Sequence, residues 1–290
     1  MLSTKEFIDK NQDRIIDELF SLLRIPSVSA HKHAEDAIYL CAAQWVELML
    51  KSGVDTARVI STNGNPVVFA EKRISPEKPT VLVYGHYDVM PAEPFNLWSS
   101  PPFEPEIREG KIYGRGADDD KGQSFMHLKA FEYLIQNESL NCNVKFLIEG
   151  EEEIGSPALE AFCQENKDLL KCDTVLVSDT SMLAADIPSI TTGLRGLAYW
   201  QLEVTGANRD LHSGIFGGAV VNPINEMCKL LATLTDDEGK ITIPRFYDQV
   251  AVVSEEEKVL IDQIPFDEER YKKNLGIKFV HGEKGYSTLE

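Results

Sequence analysis

"VLVYGHYDVMP", residues 81–91, decides the fold. It opens on a short apolar run of the length and composition of a buried strand, and the run stops on His86 with Asp88 two residues on. In open α/β sheets ligand sites form at the carboxyl ends of the strands, so polar groups at that position call for a chemical reason.

Working outward, the flanking sequence alternates between helical and strand patterns. "STKEFIDKNQDRIIDELFSLLRIP" begins with a Ser3-x-x-Glu6 capping box, sets Phe7, Ile8, Ile15, Leu19, Leu22 and Leu23 near helical spacing and stops at Pro26. A second helix is predicted from Ala34 to Ser52, closed by Gly53, followed by the strands "VVFA" and "TVLVYG". Beyond the quoted stretch come a Pro-rich loop, a helix from Lys121, the strand "NVKFLIEG", a helix from Ala158 to Leu169 and the strand "DTVLVSD". Apolar strands separated by amphipathic helices predict an α/β fold, a doubly wound, mainly parallel sheet with helices on both faces. After Pro188 the texture changes: "LAYWQLEVTG" alternates like a half-exposed antiparallel strand, and "NPINEMCKLLATL" reads as one amphipathic helix. The domain boundary is expected near Thr191, giving units of 1–191 and 192–290.

Composition excludes several classes of partner. The chain has 290 residues, 43% of them hydrophobic, enough for a substantial core. A formal net charge of −18 repels phosphate backbones and anionic lipid, so neither nucleic acid nor a membrane is expected as partner. The N-terminal stretch has no apolar core of signal-peptide length, and no later run reaches the ~18 residues of a membrane span, which predicts a soluble, cytoplasmic protein. Five cysteines without CxxC spacing (Cys41, Cys142, Cys163, Cys172 and Cys228) suit reduced thiols better than disulfides or a thiolate metal site.

The acidic and imidazole residues gather at predicted strand ends. His86 and Asp88 end one strand, Glu149 to Glu153 end another and Asp179 ends a third, while Asp118 to Asp120 lie just before a helix. Taken singly, an HxD pair is a hydrogen-bonded turn, "EGEEE" a solvated face and "DDD" favourable charge at a helix N-terminus. Together, uncompensated carboxylates at neighbouring strand ends repel one another unless a cation neutralises them. One histidine with several carboxylates has the ligand types of a divalent-metal site, zinc included.

The ordered motifs "GHYDVMP", "WSSPPFEPEIREGKIYGRGADDDKG", "EGEEEIGS", "VSDTS", "TTGLRG" and "DLHSGIFGG" resemble the dinuclear-zinc metallopeptidases that include aminoacylase, carboxypeptidase G and succinyl-diaminopimelate desuccinylase. Within that family the chain is most similar to the branch of cytosolic nonspecific dipeptidase and carnosinase. The resemblance implies a catalytic domain of the doubly wound type, interrupted by an inserted α+β lid domain that carries a homodimer contact. It implies two Zn²⁺ per subunit, with Mn²⁺ or Co²⁺ as alternatives, and a small peptide as substrate. By motif position, His86 and Asp179 would bind one zinc, Asp119 would bridge both and Glu153 would bind the other. Glu152 would be the general base, Asp88 the carboxylate behind His86, and His212 the donor to the oxyanion, reaching across the dimer. Asp118 and Asp120 are not expected as ligands, and His31, His33, His127 and His281 fall outside these roles.

One departure qualifies the expectation. The family's last histidine ligand and its substrate-binding arginine come late in, or after, the lid, and no residue here matches either. The chain is therefore expected to be the first part of a longer dipeptidase, with one metal site incomplete. A deacylase or carboxypeptidase acting on N-acyl amino acids would carry the same metal residues, and a catalytically incomplete fragment is the non-enzymatic alternative.

Overall fold

The computed structural model describes residues 2–288 other than Lys32, Ala185, Asp186, Thr192 and Arg195. Thr192 and Arg195 of the "TTGLRG" motif thus lie outside the described residues. The chain divides into two compact units, Met1–Ser181 and Met182–Glu290, and the boundary expected at Thr191 lies inside the second.

In the first unit, helix α1 (Thr4–Leu23) starts on the Ser3/Glu6 capping box and buries Phe7, Leu19, Leu22 and Leu23. Helix α2 (Glu35–Ser52) ends on Gly53, whose φ of 102° only glycine adopts without strain. Strands β1 (Thr56–Ile60), β2 (Val67–Lys72) and β3 (Thr80–His86) follow, then a small hairpin of β4 (Glu106–Arg108) and β5 (Lys111–Tyr113). Helix α3 (Lys121–Gln136), strand β6 (Asn143–Glu149), helices α4 (Leu159–Glu165) and α5 (Lys167–Leu170) and strand β7 (Thr174–Val177) complete the unit. The single helix expected over 158–169 is thus two, parted at Asn166.

The main sheet has the order β1-β2-β6-β3-β7. β3 pairs in parallel with β6 and β7, and β2 runs against both β1 and β6, so four of the five strands point the same way. Side-chain alternation sends Val68, Ala70, Val83, Phe146 and Ile148 into one core with α1, α2 and α3. Val67, Leu82 and Leu147 face the other way, against Phe162 of α4. β6, covered on both faces, is buried at every residue, which is why it reads as an unbroken apolar run. The shared direction brings the carboxyl ends of β3, β6 and β7 to one edge.

The second unit contains α6 (Ser213–Phe216), α7 (Pro223–Ala232), α8 (Glu255–Asp262) and α9 (Glu268–Leu275). Its α7 begins at Asn222, whose side chain accepts the Ile224 N–H, with proline at the first helical position. The strand expected in "LAYWQLEVTG" does not form: residues 197–206 carry no strand, and Leu197, Tyr199 and Trp200 are 82–92% exposed. Alternation makes a strand only where a ladder satisfies its backbone, and among the described residues this unit has only isolated bridges, Ala184 to Ile187 and Thr235 to Ile241. Among the described residues no helix is long and apolar enough to cross a membrane.

Candidate metal centre

His86 is the last residue of β3 and is fully buried, as is Asp88. Its Nδ1 lies 3.0 Å from the Asp88 main-chain oxygen and 3.4 Å from the Asp88 carboxylate, leaving Nε2 to face the edge of the sheet. Around Nε2 stand Asp119 Oδ1 at 3.1 Å, Asp179 Oδ2 at 3.6 Å and Glu152 Oε2 at 3.9 Å. Asp119 comes from the loop ahead of α3, Asp179 from just past β7, and Glu152 from a 3-10 turn, Glu152–Ile154, just past β6.

Asp88 does more than back the imidazole. Its Oδ1 accepts the Glu152 N–H and its Oδ2 the Glu153 N–H, both at 3.2 Å, so one buried carboxylate ties the end of β3 to the turn carrying the paired glutamates. Glu153 points elsewhere, accepting the Met90 N–H at 3.1 Å. The remaining glutamates of "EGEEE" are structural. Glu149 accepts hydrogen bonds from Tyr84 and Ser156, and Glu151 accepts the Asn65 and Ala158 N–H groups. Asp120, not expected as a ligand, is 1% exposed and accepts the His86 N–H at 3.0 Å and the Ser124 hydroxyl at 2.5 Å. Its Oδ1 is buried without a partner. The i, i+4 spacing of Asp120 and Ser124 was the only local sign of that anchor.

The electrostatics are those of a site with too many carboxylates. Burial, reinforced by Asp119, pushes Glu153 up to about 7, and burial raises Glu152 and Asp179 as well, opposed in each case by His86. Burial also takes Asp120 up to about 6. Burial opposes the charging of His86, yet Asp88, Asp120 and Asp179 together raise it to about 10. Among the described residues the ion pairs of Asp119, Glu152 and Asp179 are with His86 alone.

A divalent cation fits this donor set. One ligand atom each from His86, Asp119 and Asp179 falls within 4.8 Å of the others. Two ligands at ~2.0–2.1 Å from a tetrahedral zinc are roughly 3.3 Å apart, and the 3.1 and 3.6 Å separations from Nε2 bracket that value. A ligating histidine must be neutral, so binding would expel the proton that the carboxylates otherwise hold on His86.

With that arrangement in view, residues 82–277 match the model of Peptidase family M20/M25/M40. The chain belongs to this family. It is 39% identical to the Beta-Ala-His dipeptidase of Rattus norvegicus over 73% of its own length and 44% of that protein's. To the Cys-Gly metallodipeptidase dug1 of Schizosaccharomyces pombe it is 34% identical, over 93% of the chain and 60% of the relative. Among solved structures it resembles the dipeptidase Dug1p of Saccharomyces cerevisiae (TM-score 0.76, 30% identity, covering 96% of this chain and 61% of that one). It also resembles the M20 family metallo-carboxypeptidase Sso-CP2 of Sulfolobus solfataricus (TM-score 0.74, 35% identity, 96% and 61%). The chain therefore spans about half of the curated relatives' length. Membership implies a metal ion, and among the described residues His86, Asp119 and Asp179 have ligand atoms close enough together to suit one.

His212 belongs to the second unit, where it caps α6: its Nδ1 accepts the Gly214 N–H at 3.0 Å and its side chain is exposed. An accepting Nδ1 puts the ring proton on Nε2, making that atom a free donor.

Proposed function

We propose that the protein is a metal-dependent dipeptidase whose reaction is centred on His86, with Glu152 as general base. The observation that carries this reading is the convergence of His86, Asp119 and Asp179 beside a partly buried glutamate whose carboxylate lies 3.9 Å from His86 Nε2. His86, Asp119 and Asp179 would hold one Zn²⁺, and Asp119, whose side chain is 60% exposed, would share a second with Glu153. Mn²⁺ or Co²⁺ suits the same donors. When bound, such ions polarise a carbonyl and lower the pKa of water.

The chain's own groups supply the rest. Glu152, its pKa raised by burial, takes a proton from the attacking water and passes it to the leaving amine nitrogen. Asp88 fixes the imidazole of His86 and, through the backbone of Glu152, the distance between base and ligand. His212 donates its Nε2–H to the developing oxyanion. In this reading residues 192–290 are lid sequence, a homodimer forms through the lid and His212 serves the partner's site. Free thiols at Cys41, Cys142, Cys163, Cys172 and Cys228 suit a reducing, cytoplasmic setting.

Dipeptides, with β-Ala-His and Cys-Gly chosen from the relatives' names, should be cleaved in the presence of Zn²⁺, Mn²⁺ or Co²⁺ and spared after chelation. Faster cleavage of N-acetyl amino acids would replace the dipeptidase reading with a deacylase. Mixing His212→Ala and Glu152→Gln subunits should restore part of the activity that each variant alone lacks; no recovery after verified subunit exchange would remove the role across the dimer.

A further inference from the structure

The three candidate ligands are not equally supported by the fold. His86 sits between two ladders, paired with β6 at Glu149 and following Tyr84, which pairs with β7, and its N–H is held by Asp120. Asp119 directly precedes the residue that caps α3. Asp179 has neither advantage. It lies beyond Val177, the last residue of an edge strand that is four residues long, exposed throughout and joined to β3 by four pairs. The local turn adds one main-chain bond, from the Thr180 N–H to the Ser178 oxygen at 2.7 Å. A short edge strand of this kind frays unless something beyond the ladder holds it.

That additional contact comes from α3. His127 Nε2 and Ser178 Oγ share a hydrogen bond of 2.5 Å, across 51 residues of sequence. His127 is flanked on the helix by Phe125, Leu128 and Phe131, all buried in the main core, so its backbone is among the better fixed in the unit. The same helix has Asp119 at its approach and Asp120 at its cap, the latter bonded to the His86 N–H. One rigid element thus touches all three ligand-bearing segments.

We infer that His127 is a positioning residue for the metal centre: by clamping Ser178 to α3 it holds the neighbouring Asp179 in ligating position. This rests on the reading of His86, Asp119 and Asp179 as a metal site. Burial lowers the pKa of His127, so the clamp is a neutral imidazole and brings no positive charge toward a cation. Removing a group that orients a ligand costs 10- to 100-fold in metal affinity in typical sites, about the size expected here.

The test is Zn²⁺ affinity by competition with a chromophoric chelator, together with the visible absorption of the Co²⁺ form, in the 290-residue chain and three variants. His127→Leu and Ser178→Ala should bind Zn²⁺ about 10- to 100-fold more weakly, with an altered Co²⁺ spectrum, whereas His127→Gln, which keeps a hydrogen-bonding group near Ser178, should recover most of the affinity. If His127→Leu fails to fold, Ser178→Ala, the loss of one hydroxyl at a half-buried position, carries the test. A purely structural contact would lower the melting temperature of the metal-free variants and leave Zn²⁺ affinity and spectrum unchanged, and that result overturns the clamp alone. No Zn²⁺ uptake by the unaltered chain would overturn the metal site, and the clamp with it.

Discussion

The two ends of the same sheet are built on opposite electrostatic plans. At the amino ends of β3, β6 and β7 the polar groups satisfy one another. Asn143 accepts the Ile74 and Ser75 N–H groups and donates to the Ser75 and Lys78 oxygens, and Asp173 accepts the Thr80 N–H. Lys145 donates to the Leu169 and Lys171 oxygens. At the carboxyl ends, Asp88, Asp119, Glu152 and Asp179 surround one histidine. Saturated hydrogen bonding stabilises and asks for nothing further, whereas an excess of one charge in a half-buried place is tolerated only if a ligand relieves it.

The largest expected effect that would sharpen this contrast is in catalysis. Glu152→Gln in the active protein should lower turnover about 10²- to 10⁴-fold with metal content retained, because a base is lost and no ligand of the His86 position is removed. If metal content falls in step with activity, Glu152 is a ligand and the roles of Glu152 and Glu153 are exchanged. Next in size, His86→Ala should weaken Zn²⁺ binding to the 290-residue chain by at least about 100-fold, more than a change among the surrounding groups would. Tight binding that survives this variant would place the metal elsewhere.

At the opposite end the reverse pattern is expected. Asn143→Ala leaves the Ile74 and Ser75 N–H groups and the Lys78 carbonyl without this partner at a position only 5% exposed, and should cost about 2 kcal/mol of unfolding free energy with Zn²⁺ affinity unchanged. A matching loss of affinity would show the two ends to be coupled, and the contrast would fail.

The last effect is on stability against pH, and the share of Glu153 in it is small because that side chain is half-exposed and solvent screens it. Glu153 is raised to about 7 in the folded chain, so the folded state binds its proton more tightly than the unfolded chain does. Its contribution is therefore present at pH ~4.3 and lost as pH rises through about 7. His86, raised to about 10, contributes fully below ~6.5 and loses that contribution as pH rises through about 10. Both shifts have the same sign, so this cluster should destabilise the metal-free protein progressively above pH ~4.3, and added Zn²⁺ should flatten the slope. Melting temperatures of chelator-treated and metal-loaded protein across that range would check it; equal slopes would mean that the carboxylates are neutralised some other way.

Much of this was legible in the sequence because the relevant signals are local or ordered. The Ser3/Glu6 capping box, the stop at Gly53 and the apolar runs of β3 and β6 each depend on a few consecutive residues. Strands that point one way must end at one edge, so His86, the run Glu149 to Glu153 and Asp179 could be grouped before any distance was known, whereas singling out Asp119 and Glu152 within their acidic runs took the resemblance to a known family. What stayed hidden lies in contacts between distant segments. Asp120 reads as one acid of three, yet its carboxylate is spent on the backbone of a strand 34 residues earlier. His127 stands in no motif and touches a serine 51 residues later. "LAYWQLEVTG" has the alternation of a strand, but alternation describes only what a strand would present if another accepted its hydrogen bonds.

The sequence by itself determined the type and order of most elements of the first unit, the direction in which most of its strands run and the ligand chemistry gathered at their ends, because periodicity, caps and residue identity act over a few residues. Tertiary structure decided which of the neighbouring acids face His86, which are consumed by backbone N–H groups and which helix ties the ligand-bearing segments together. The physical reason is that a carboxylate's role is set by its nearest donor or cation, and those partners arrive from segments that only folding brings within 3 to 4 Å.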